Sequence, residues 1–357
     1  MKVVLYDVDS KIPNFALMKL SGYYKSKGYQ TILSRKVRQI PANLYFASVI
    51  FNSEKSLKQI NKLTEIYGEN ISIGGTGVEL KTTLPDKAER FFPDYKLYGH
   101  TKYALGFLTR GCNKRCAFCV VPKKEGYLQP NYSTFDDFIP KGQLNVMLLD
   151  NNLLAAPNAH DLLEEIAKRR LNVNFSQTLD IQYLTDKIYQ KLKMVNSVNS
   201  RFTRQMIYFS CNTLKQAEWF SMQSDKLKSF GRERVTVVIM YGFDTRLSED
   251  FQILKKMKKL ALVPFVQEYK PISGVPARIP EDYFDMNLDE VAEFRIRSNG
   301  QNGEKFLRYV NKLYFNKYGR YYLPILKSIY RYNNKARLKY YLDCPDLLSS
   351  EMYKKYS

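Results

Sequence analysis

Short apolar runs alternate with segments of helical spacing along most of this 357-residue chain, and that alternation limits the fold more than any other feature. Over the first 80 residues the runs KVVLYDV, QTILSRKV, LYFASVIF and NISIGG are interspersed with two such segments. Alternation of strand and helix favours a parallel sheet, because a parallel return needs a crossover helix. The sequence therefore predicts a small doubly wound, Rossmann-like α/β domain over residues 1–95.

Further apolar runs follow the proline-containing segment 81–100, and helical stretches separate them. Six βα units predict a parallel sheet curved into a partial (βα)6 TIM-like barrel over residues 96–275. Residues 276–357 predict a basic, Tyr-rich helical region, with helices over 303–315 and 324–342. The six runs are YALGFLT, LNVMLLD, NVNFSQ, QMIYFS, RVTVVIMYG and LVPFVQEY.

The chain carries 56 Lys and Arg against 35 Asp and Glu, a formal net charge of +21. Such a field attracts polyanions, anionic substrates or acidic proteins, so RNA is a candidate partner, although a skewed base composition would also enrich lysine. No stretch of about 18 uncharged apolar residues occurs, and no apolar run of signal-peptide length follows the first residues. The sequence predicts a cytoplasmic protein without a membrane partner.

Three of the five cysteines, Cys112, Cys116 and Cys119, fall within eight residues at spacing C-x3-C-x2-C. This clustering is the opposite of a spread disulfide framework and indicates a metal site. Thiolates are soft ligands for iron-sulfur clusters and zinc, and three of them leave a four-iron cluster with one iron open to a small molecule. A tetrahedral zinc site is the alternative, with Cys211 or His100 as fourth ligand.

The loop TRGCNKRCAFCVVPKKEG, with Phe118 before its last cysteine, resembles the radical S-adenosylmethionine superfamily. The resemblance implies that Cys112, Cys116 and Cys119 hold a [4Fe-4S] cluster and that S-adenosylmethionine chelates its fourth iron. An external donor such as flavodoxin or ferredoxin would reduce the cluster. A 5′-deoxyadenosyl radical would then take a hydrogen atom from the substrate, and Phe118 would belong to the cofactor site.

Residues that position cofactor and substrate are expected at the carboxyl ends of the barrel strands. The second strand ends in LLDNNLLA, where the superfamily usually has a Gly-Gly-Glu signature, and the Asp-Asn pattern here resembles its cobalamin-associated branch. Capping of a helix or turn is the alternative for each candidate, and no catalytic residue is assigned. The predicted cofactor-binding residues are Phe118, Asp150, Asn151, Asn152, Ser176, Gln177 and Gly242, and the predicted substrate-binding residues are Asp180, Asp244 and Glu268.

Residues 1–275 resemble a group of radical S-adenosylmethionine proteins that carry an N-terminal cobalamin-binding-like domain. A cobalamin domain of the common kind has a histidine in an Asp-x-His-x-x-Gly loop after its first strand, and here that place reads DVDSKIPN. The only histidines are His100 and His160. The N-terminal domain is therefore predicted to lack cobalamin and to serve as a scaffold or dimerisation surface.

The substrate is less constrained than the radical chemistry. The first hypothesis is an enzyme acting on a small polar or heteroaromatic molecule, such as a nucleobase or 7-deazapurine lyase that breaks a C–N bond as in release of the queuine base. The second is a tRNA- or RNA-modifying enzyme that uses the basic, Tyr-rich C-terminal region. The third is a non-catalytic metal-containing module that binds nucleic acid. Sulfur insertion is disfavoured because Cys211 and Cys344 do not supply a second cluster.

Overall fold

The computed structural model describes residues 1–99, 102–231, 233–271, 275–294 and 300–333. The chain divides into two compact units, the first formed by Met1–Ile207 with Pro271–Pro276 and the second by Tyr208–Lys270 with Ala277–Ser357. The predicted division at residues 95 and 275 stays a prediction.

The N-terminal part of the first unit is a four-stranded parallel sheet in the order β2-β1-β3-β4. Two helices connect its strands, and a one-turn helix, α3, follows the sheet. The elements are β1 (Lys2–Asp7), α1 (Phe15–Ser26), β2 (Gln30–Ser34), β3 (Leu44–Ser48), α2 (Glu54–Tyr67), β4 (Ile71–Gly74) and α3 (Asp86–Glu89).

Strand β1 shows why this sheet is covered on both faces. Successive side chains of a strand point to opposite faces. Leu5 packs in one apolar cluster with Leu17 of α1, whereas Tyr6 packs in another with Leu63 of α2. Helices α1 and α2 therefore cover different faces of one sheet, and the predicted doubly wound domain is confirmed.

The rest of the first unit holds a second four-stranded parallel sheet, in the order β5-β6-β7-β8. Parallel strands end at a common edge, so the segments that leave β5, β6 and β7 meet there. The elements are β5 (Ala104–Gly106), α4 (Val121–Lys124), β6 (Asn145–Leu148), α5 (Ala159–Lys168), β7 (Asn172–Phe175), α6 (Asp186–Met194) and β8 (Asn196–Ser197).

The second unit contains a three-stranded sheet in the order β11-β10-β9, with β10 and β11 parallel. Helix α11 packs on β11, and α12 packs on α10 and α11. The elements are β9 (Ile207–Ser210), α7 (Leu214–Met222), α8 (Ser224–Ser229), β10 (Val235–Tyr241), α9 (Leu247–Lys259), β11 (Val263–Glu268), α10 (Leu288–Glu293), α11 (Gly300–Tyr318) and α12 (Leu323–Asn333).

The α/β class is confirmed, and each of the six runs expected to form barrel strands contains a strand. The helix predicted over 303–315 is α11, and the helix predicted over 324–342 begins as α12, with residues 334–342 outside the described part. Across the residues that the structure describes, no helix is both long and apolar enough to cross a membrane.

Candidate metal centre

The segment that carries the three cysteines leaves β5 and is closed at its base by backbone hydrogen bonds. Arg110 and Gln129 exchange two of them, at 3.1 and 2.7 Å, and the Cys112 N–H donates to the Gly126 carbonyl at 3.2 Å. Gly111 has a φ of +84°, and a Cβ there would lie 2.3 Å from the Tyr127 carbonyl oxygen. Only glycine permits this turn, which directs the chain into the first cysteine.

The loop itself folds back on its thiols. The Cys119 N–H donates to the Cys116 carbonyl at 2.9 Å, and the Lys114 N–H donates to Cys112 Sγ at 3.4 Å. Burial raises the pKa of the Cys116 and Cys119 thiols, while the Lys114 ammonium acts in the opposite direction on Cys116. Phe118, which lies between these two cysteines in the sequence, is partly buried. A cation beside the loop favours the thiolates that bind metal.

Three free thiols on one short loop are the donor set that iron-sulfur clusters use. Within the described residues, no group of three His, Cys, Asp or Glu side chains is arranged to hold a single metal ion. Cys211, considered as a zinc ligand, is buried at the end of β9, and burial raises its pKa to about 12. Its surroundings fit a small apolar side chain. His100, the other candidate, lies outside the described residues.

Asp150, which follows β6, holds the segment that leads into the cysteine loop. Its buried carboxylate accepts hydrogen bonds from the backbone N–H of Leu108 at 3.1 Å, from the N–H of Thr109, and from the Thr109 hydroxyl at 2.8 Å. Burial raises the pKa of Asp150 to about 6, and the Thr109 donors oppose that rise. Its predicted role at the cofactor stays a prediction; its contacts in the structure are with the loop.

The next two residues touch the loop as well. Asn151 Oδ1 accepts from the Gly111 N–H at 3.0 Å, and Asn152 Nδ2 donates to Cys112 Sγ at 3.6 Å. The Asn152 side chain does not cap the 3-10 turn that follows it, so the capping alternative is wrong for that residue. Asn152 Oδ1 is buried and has no hydrogen-bond partner among the described residues. Such an acceptor is costly to leave unpaired, and a donor is expected there.

Asp180, which follows β7, is ion-paired with the Lys114 ammonium and also caps a 3-10 turn through the Gln182 N–H. Lys114 Nζ reaches Gln182 Oε1 as well, at 2.7 Å. Ser176 donates to the Leu148 carbonyl at 2.8 Å, and Gln177 is exposed at the strand end. Asp150, Asn151, Asn152 and Asp180 are thus brought to the cysteine loop, and the roles predicted for Ser176 and Gln177 stay predictions.

Three predicted residues lie in the second unit. Gly242 has a φ of +85°, and a Cβ there would lie 2.6 Å from the Tyr309 hydroxyl, so α11 closes on the end of β10. Asp244 is exposed, and its N–H donates to the Arg278 carbonyl. Glu268 is ion-paired with Lys270 at 2.7 Å. Their cofactor and substrate roles stay predictions.

The predicted absence of cobalamin rests on the loop after β1, and its acidic residues are engaged within the protein. Asp7 accepts from the Ser10 N–H and from the Tyr98 hydroxyl at 2.8 Å. Asp9 accepts from the backbone N–H groups of Ile50 and Phe51 at 2.8 and 3.0 Å. These contacts hold the carboxyl end of β1 to the segment after β3; the absence of cobalamin stays a prediction.

Two groups of residues escaped sequence reasoning. The first is Lys114, whose place between two cysteines was a usable signal. The second is a buried polar group in the second unit, formed by Thr245, Asp250, Tyr283 and Tyr309, whose side-chain oxygens have no hydrogen-bond partner among the described residues. No sequence pattern marks it, because its members are far apart in the chain.

No family model matches the chain. A curated relative, the tRNA-2-methylthio-N(6)-dimethylallyladenosine synthase of Hydrogenobaculum sp. (strain Y04AAS1), is 26% identical over 285 residues, which are 72% of this chain and 62% of that protein. The chain thus spans less than two thirds of that relative. Streptococcus suis SuiB bound to S-adenosylmethionine overlaps with a TM-score of 0.36 at 12% identity, over 60% of this chain and 48% of that one. SuiB bound to precursor peptide SuiA overlaps with a TM-score of 0.37 at 14% identity, over 74% and 58%.

Proposed function

We propose that the chain is a radical S-adenosylmethionine enzyme whose cysteine loop holds a [4Fe-4S] cluster and whose cofactor is S-adenosylmethionine; the spacing of its three loop cysteines and the similarity to the curated relative support this proposal. With an external donor such as a flavodoxin or ferredoxin, a cluster held by these cysteines would supply the one-electron chemistry that cleaves S-adenosylmethionine and leads to hydrogen abstraction from the substrate.

The chain's own residues prepare this site in three ways. Cys112, Cys116 and Cys119 supply the sulfur ligands, and the positive charge of Lys114 favours the thiolate form of Cys116 by lowering its pKa against the effect of burial. Asp150 fixes the approach to the loop through its hydrogen bonds to the residues before the cysteines. The loop is therefore positioned by contacts that already exist in the protein.

The side chain of Asn152 is the observation that most supports S-adenosylmethionine as the cofactor. A cluster-bound thiolate only accepts hydrogen bonds, so the Asn152 amide turns its N–H toward Cys112 and its oxygen away. That oxygen is the buried, unpartnered acceptor. The amino group of S-adenosylmethionine is a charged donor of the right chemistry for it. Asn158 Oδ1 is also unpartnered among the described residues, but the Asn158 amide contacts Pro130 and Asn131.

The cluster is tested by anaerobic reconstitution with iron and sulfide. We expect about four irons per chain in the wild type and formation of 5′-deoxyadenosine after reduction, read by mass spectrometry. Cys116→Ala should lose most of both, whereas Cys211→Ala, which removes a thiol outside the loop, should keep them. A wild type that binds one zinc and no iron, or a Cys116→Ala variant that keeps its iron and turnover, would refute the proposal.

The cofactor contact is tested by measuring S-adenosylmethionine binding to the reconstituted protein. Asn152→Ala should weaken binding about tenfold while the iron content is retained, because one charge-assisted hydrogen bond is lost. Asn158→Ala is the matched control and should bind normally. Equal binding by both variants would remove Asn152 from the cofactor site.

We propose an RNA nucleobase as the substrate class. The relative named above acts in tRNA modification by its name, and the charge of +21 suits a polyanion. Beside the cysteines, the Arg115 guanidinium lies 5.8 Å from the centre of the Tyr127 ring, and Tyr127 is 68% exposed. An exposed aromatic ring with an adjacent arginine is a surface on which an unstacked base can lie.

The small-molecule hypothesis receives less support from the structure. It relied on three carboxylates, and two of them, Asp180 and Glu268, are already ion-paired with Lys114 and Lys270. Sulfur insertion is not part of the proposal, since Cys211 is buried and Cys344 lies outside the described residues.

Binding of transfer RNA at two or more salt concentrations tests the substrate class. Affinity should fall steeply as salt rises, and Tyr127→Ala should weaken binding roughly five- to tenfold through loss of a stacking contact. Phe51→Ala, which removes a half-exposed aromatic ring of the N-terminal domain, is the control and should bind as the wild type does. Salt-independent or undetectable retention would exclude RNA.

A further inference from the structure

A partly buried ionic network ties the N-terminal doubly wound domain to the cysteine loop. Its centre is Glu89 at the end of α3, whose Oε1 lies 3.1 Å from Lys19 Nζ of α1 and 2.8 Å from Arg110 Nη1. The Tyr132 hydroxyl also donates to Glu89. Arg110 stands two residues before Cys112. A carboxylate of the N-terminal domain therefore holds a cation at the entrance of the loop.

Arg110 also contacts the segment that follows the cysteines. Its Nε donates to Glu125 Oε2 at 2.5 Å, and its guanidinium carbon lies 5.2 Å from the Phe107 ring centre and 5.0 Å from that of Tyr132. Phe107 and Tyr132 lie on opposite sides of the loop in sequence. One guanidinium thus contacts residues before and after the cysteines.

The charges in this network are balanced and partly shielded from solvent. Burial alone would raise the pKa of Glu89, but Lys19, Tyr132 and Arg110 together hold it below its ordinary value. The Arg110 guanidinium lies against the carboxylates of both Glu89 and Glu125, at 2.8 and 2.5 Å. Removal of one member leaves an uncompensated, partly buried charge, which perturbs the partner that remains.

We propose that Glu89 and Arg110 are positioning residues. Through them the N-terminal domain holds the cysteine loop in the conformation that binds the cluster. This inference rests on the proposed function only for the identity of the cluster. The contacts that hold the loop are between residues of the protein and do not involve the cluster. It gives the N-terminal domain a role that needs no cobalamin. Glu89 contacts Lys19, Arg110 and Tyr132 rather than the cysteines, so it acts on the loop through Arg110.

Hydrogen exchange of the apoprotein tests the bracing directly. Glu89→Gln removes the central charge with little change in shape, and amides of residues 108–129 should exchange roughly tenfold faster than in the wild type, while those of β1 and β6 stay protected. Glu164→Gln is the matched control, since it removes a carboxylate of the same unit that pairs with Lys168 and Lys191. Unchanged exchange over 108–129 in Glu89→Gln would overturn the proposal.

The reconstituted protein supplies a second readout. The electron paramagnetic resonance spectrum of the reduced cluster should broaden or shift in Glu89→Gln and recover in part in Glu89→Asp, whereas Glu164→Gln should match the wild type. If Glu89→Gln does not fold, the Glu89→Gln, Arg110→Gln double variant removes both charges and keeps the fold, and its loop should still exchange faster. A wild type that assembles no cluster refutes the proposed function, yet the exchange result in the apoprotein still decides the bracing.

Discussion

Two buried aspartates, Asp150 in the first unit and Asp250 in the second, show how differently this protein treats the same side chain. Burial raises the pKa of both, to about 6 and about 7. Asp150 accepts hydrogen bonds from the N–H groups of Leu108 and Thr109 and from the Thr109 hydroxyl. Asp250 has no hydrogen-bond partner among the described residues. Both carboxylates are buried, but only Asp150 is stabilised by hydrogen bonds, and Asp250 lacks the donors that would offset its burial.

The surroundings of Asp250 explain its higher pKa. Burial is the main cause, and the nearby carboxylates Glu249 and Asp285 add to it. The hydroxyls of Thr245 and Tyr283 act in the opposite direction, although neither meets hydrogen-bond geometry with Asp250. The difference between the two regions is thus the supply of donors: backbone N–H groups converge on Asp150, and only side-chain hydroxyls approach Asp250.

The largest expected effect is that of Asp150→Ala. It leaves two backbone N–H groups and the Thr109 hydroxyl buried without an acceptor, and unfolding should become easier by about 3–5 kcal/mol. Urea unfolding of the apoprotein measures this, and iron uptake should fall in parallel. Asp136→Ala is the control, because Asp136 is an exposed carboxylate paired with Arg169; its midpoint should stay close to the wild type. An Asp150→Ala midpoint equal to that of the control would mean that Asp150 is no anchor.

Asp250→Asn should raise the free energy of unfolding, in contrast to Asp150→Ala, and the size of this effect should depend strongly on pH. The pKa of Asp250 in the folded protein, about 7, lies above its unfolded value, so the folded state retains the proton longer. Its contribution to stability is full below about pH 4 and is lost as pH rises through 7. At pH 8 the asparagine variant should therefore have a free energy of unfolding higher than that of the wild type by on the order of 3 kcal/mol, seen as a higher unfolding temperature. Near pH 4 the two proteins should unfold alike. A less stable variant at pH 8 would show that the ionised carboxylate is satisfied in solution.

Asp150→Asn sharpens the contrast because it is the same substitution at the same burial. An amide keeps one acceptor but turns an N–H₂ group toward donors, so this variant should be destabilised by about 1–3 kcal/mol at pH 8. Thermal unfolding at that pH, measured side by side with Asp250→Asn, should move the two midpoints in opposite directions. Midpoints that move together would show that desolvation alone controls both sites.

The sequence was sufficient for the parts of this protein that depend on local pattern. The six apolar runs from residue 103 each contain a strand, because period and β-branched content are properties of adjacent residues. Asp150, Asn151 and Asn152 could be linked to the cysteine loop because parallel strands end at one edge of a sheet. Their partners in the loop could not be predicted, since hydrogen bonds such as that between Gly111 and Asn151 join residues 40 positions apart.

The ion pairs of the candidate carboxylates were not predicted from the sequence. Asp180 and Glu268 were selected as carboxylates for a substrate, and the structure pairs them with Lys114 and Lys270. In a chain with 56 basic side chains, a carboxylate near a strand end usually finds a cation of the protein. The cation that pairs with Asp180 depends on the packing of loops, and loop packing leaves no periodic signal in the sequence.

The smallest expected effects come from removing one tyrosine hydroxyl in each of the two regions. Tyr95, in the first unit, accepts from the Leu105 N–H at 3.1 Å and donates to the Phe138 carbonyl at 2.5 Å; Tyr309, in the second, has a hydroxyl with no partner among the described residues. Tyr95→Phe should lower the free energy of unfolding by about 1–2 kcal/mol, whereas Tyr309→Phe should change it by less than about 0.5 kcal/mol, because no hydrogen bond is lost. Urea titration of both apoprotein variants measures the pair. A loss in Tyr309→Phe as large as that in Tyr95→Phe would mean that the hydroxyls around Asp250 are bonded in solution, and the contrast between the two aspartates would then lie in the kind of donor that each one meets.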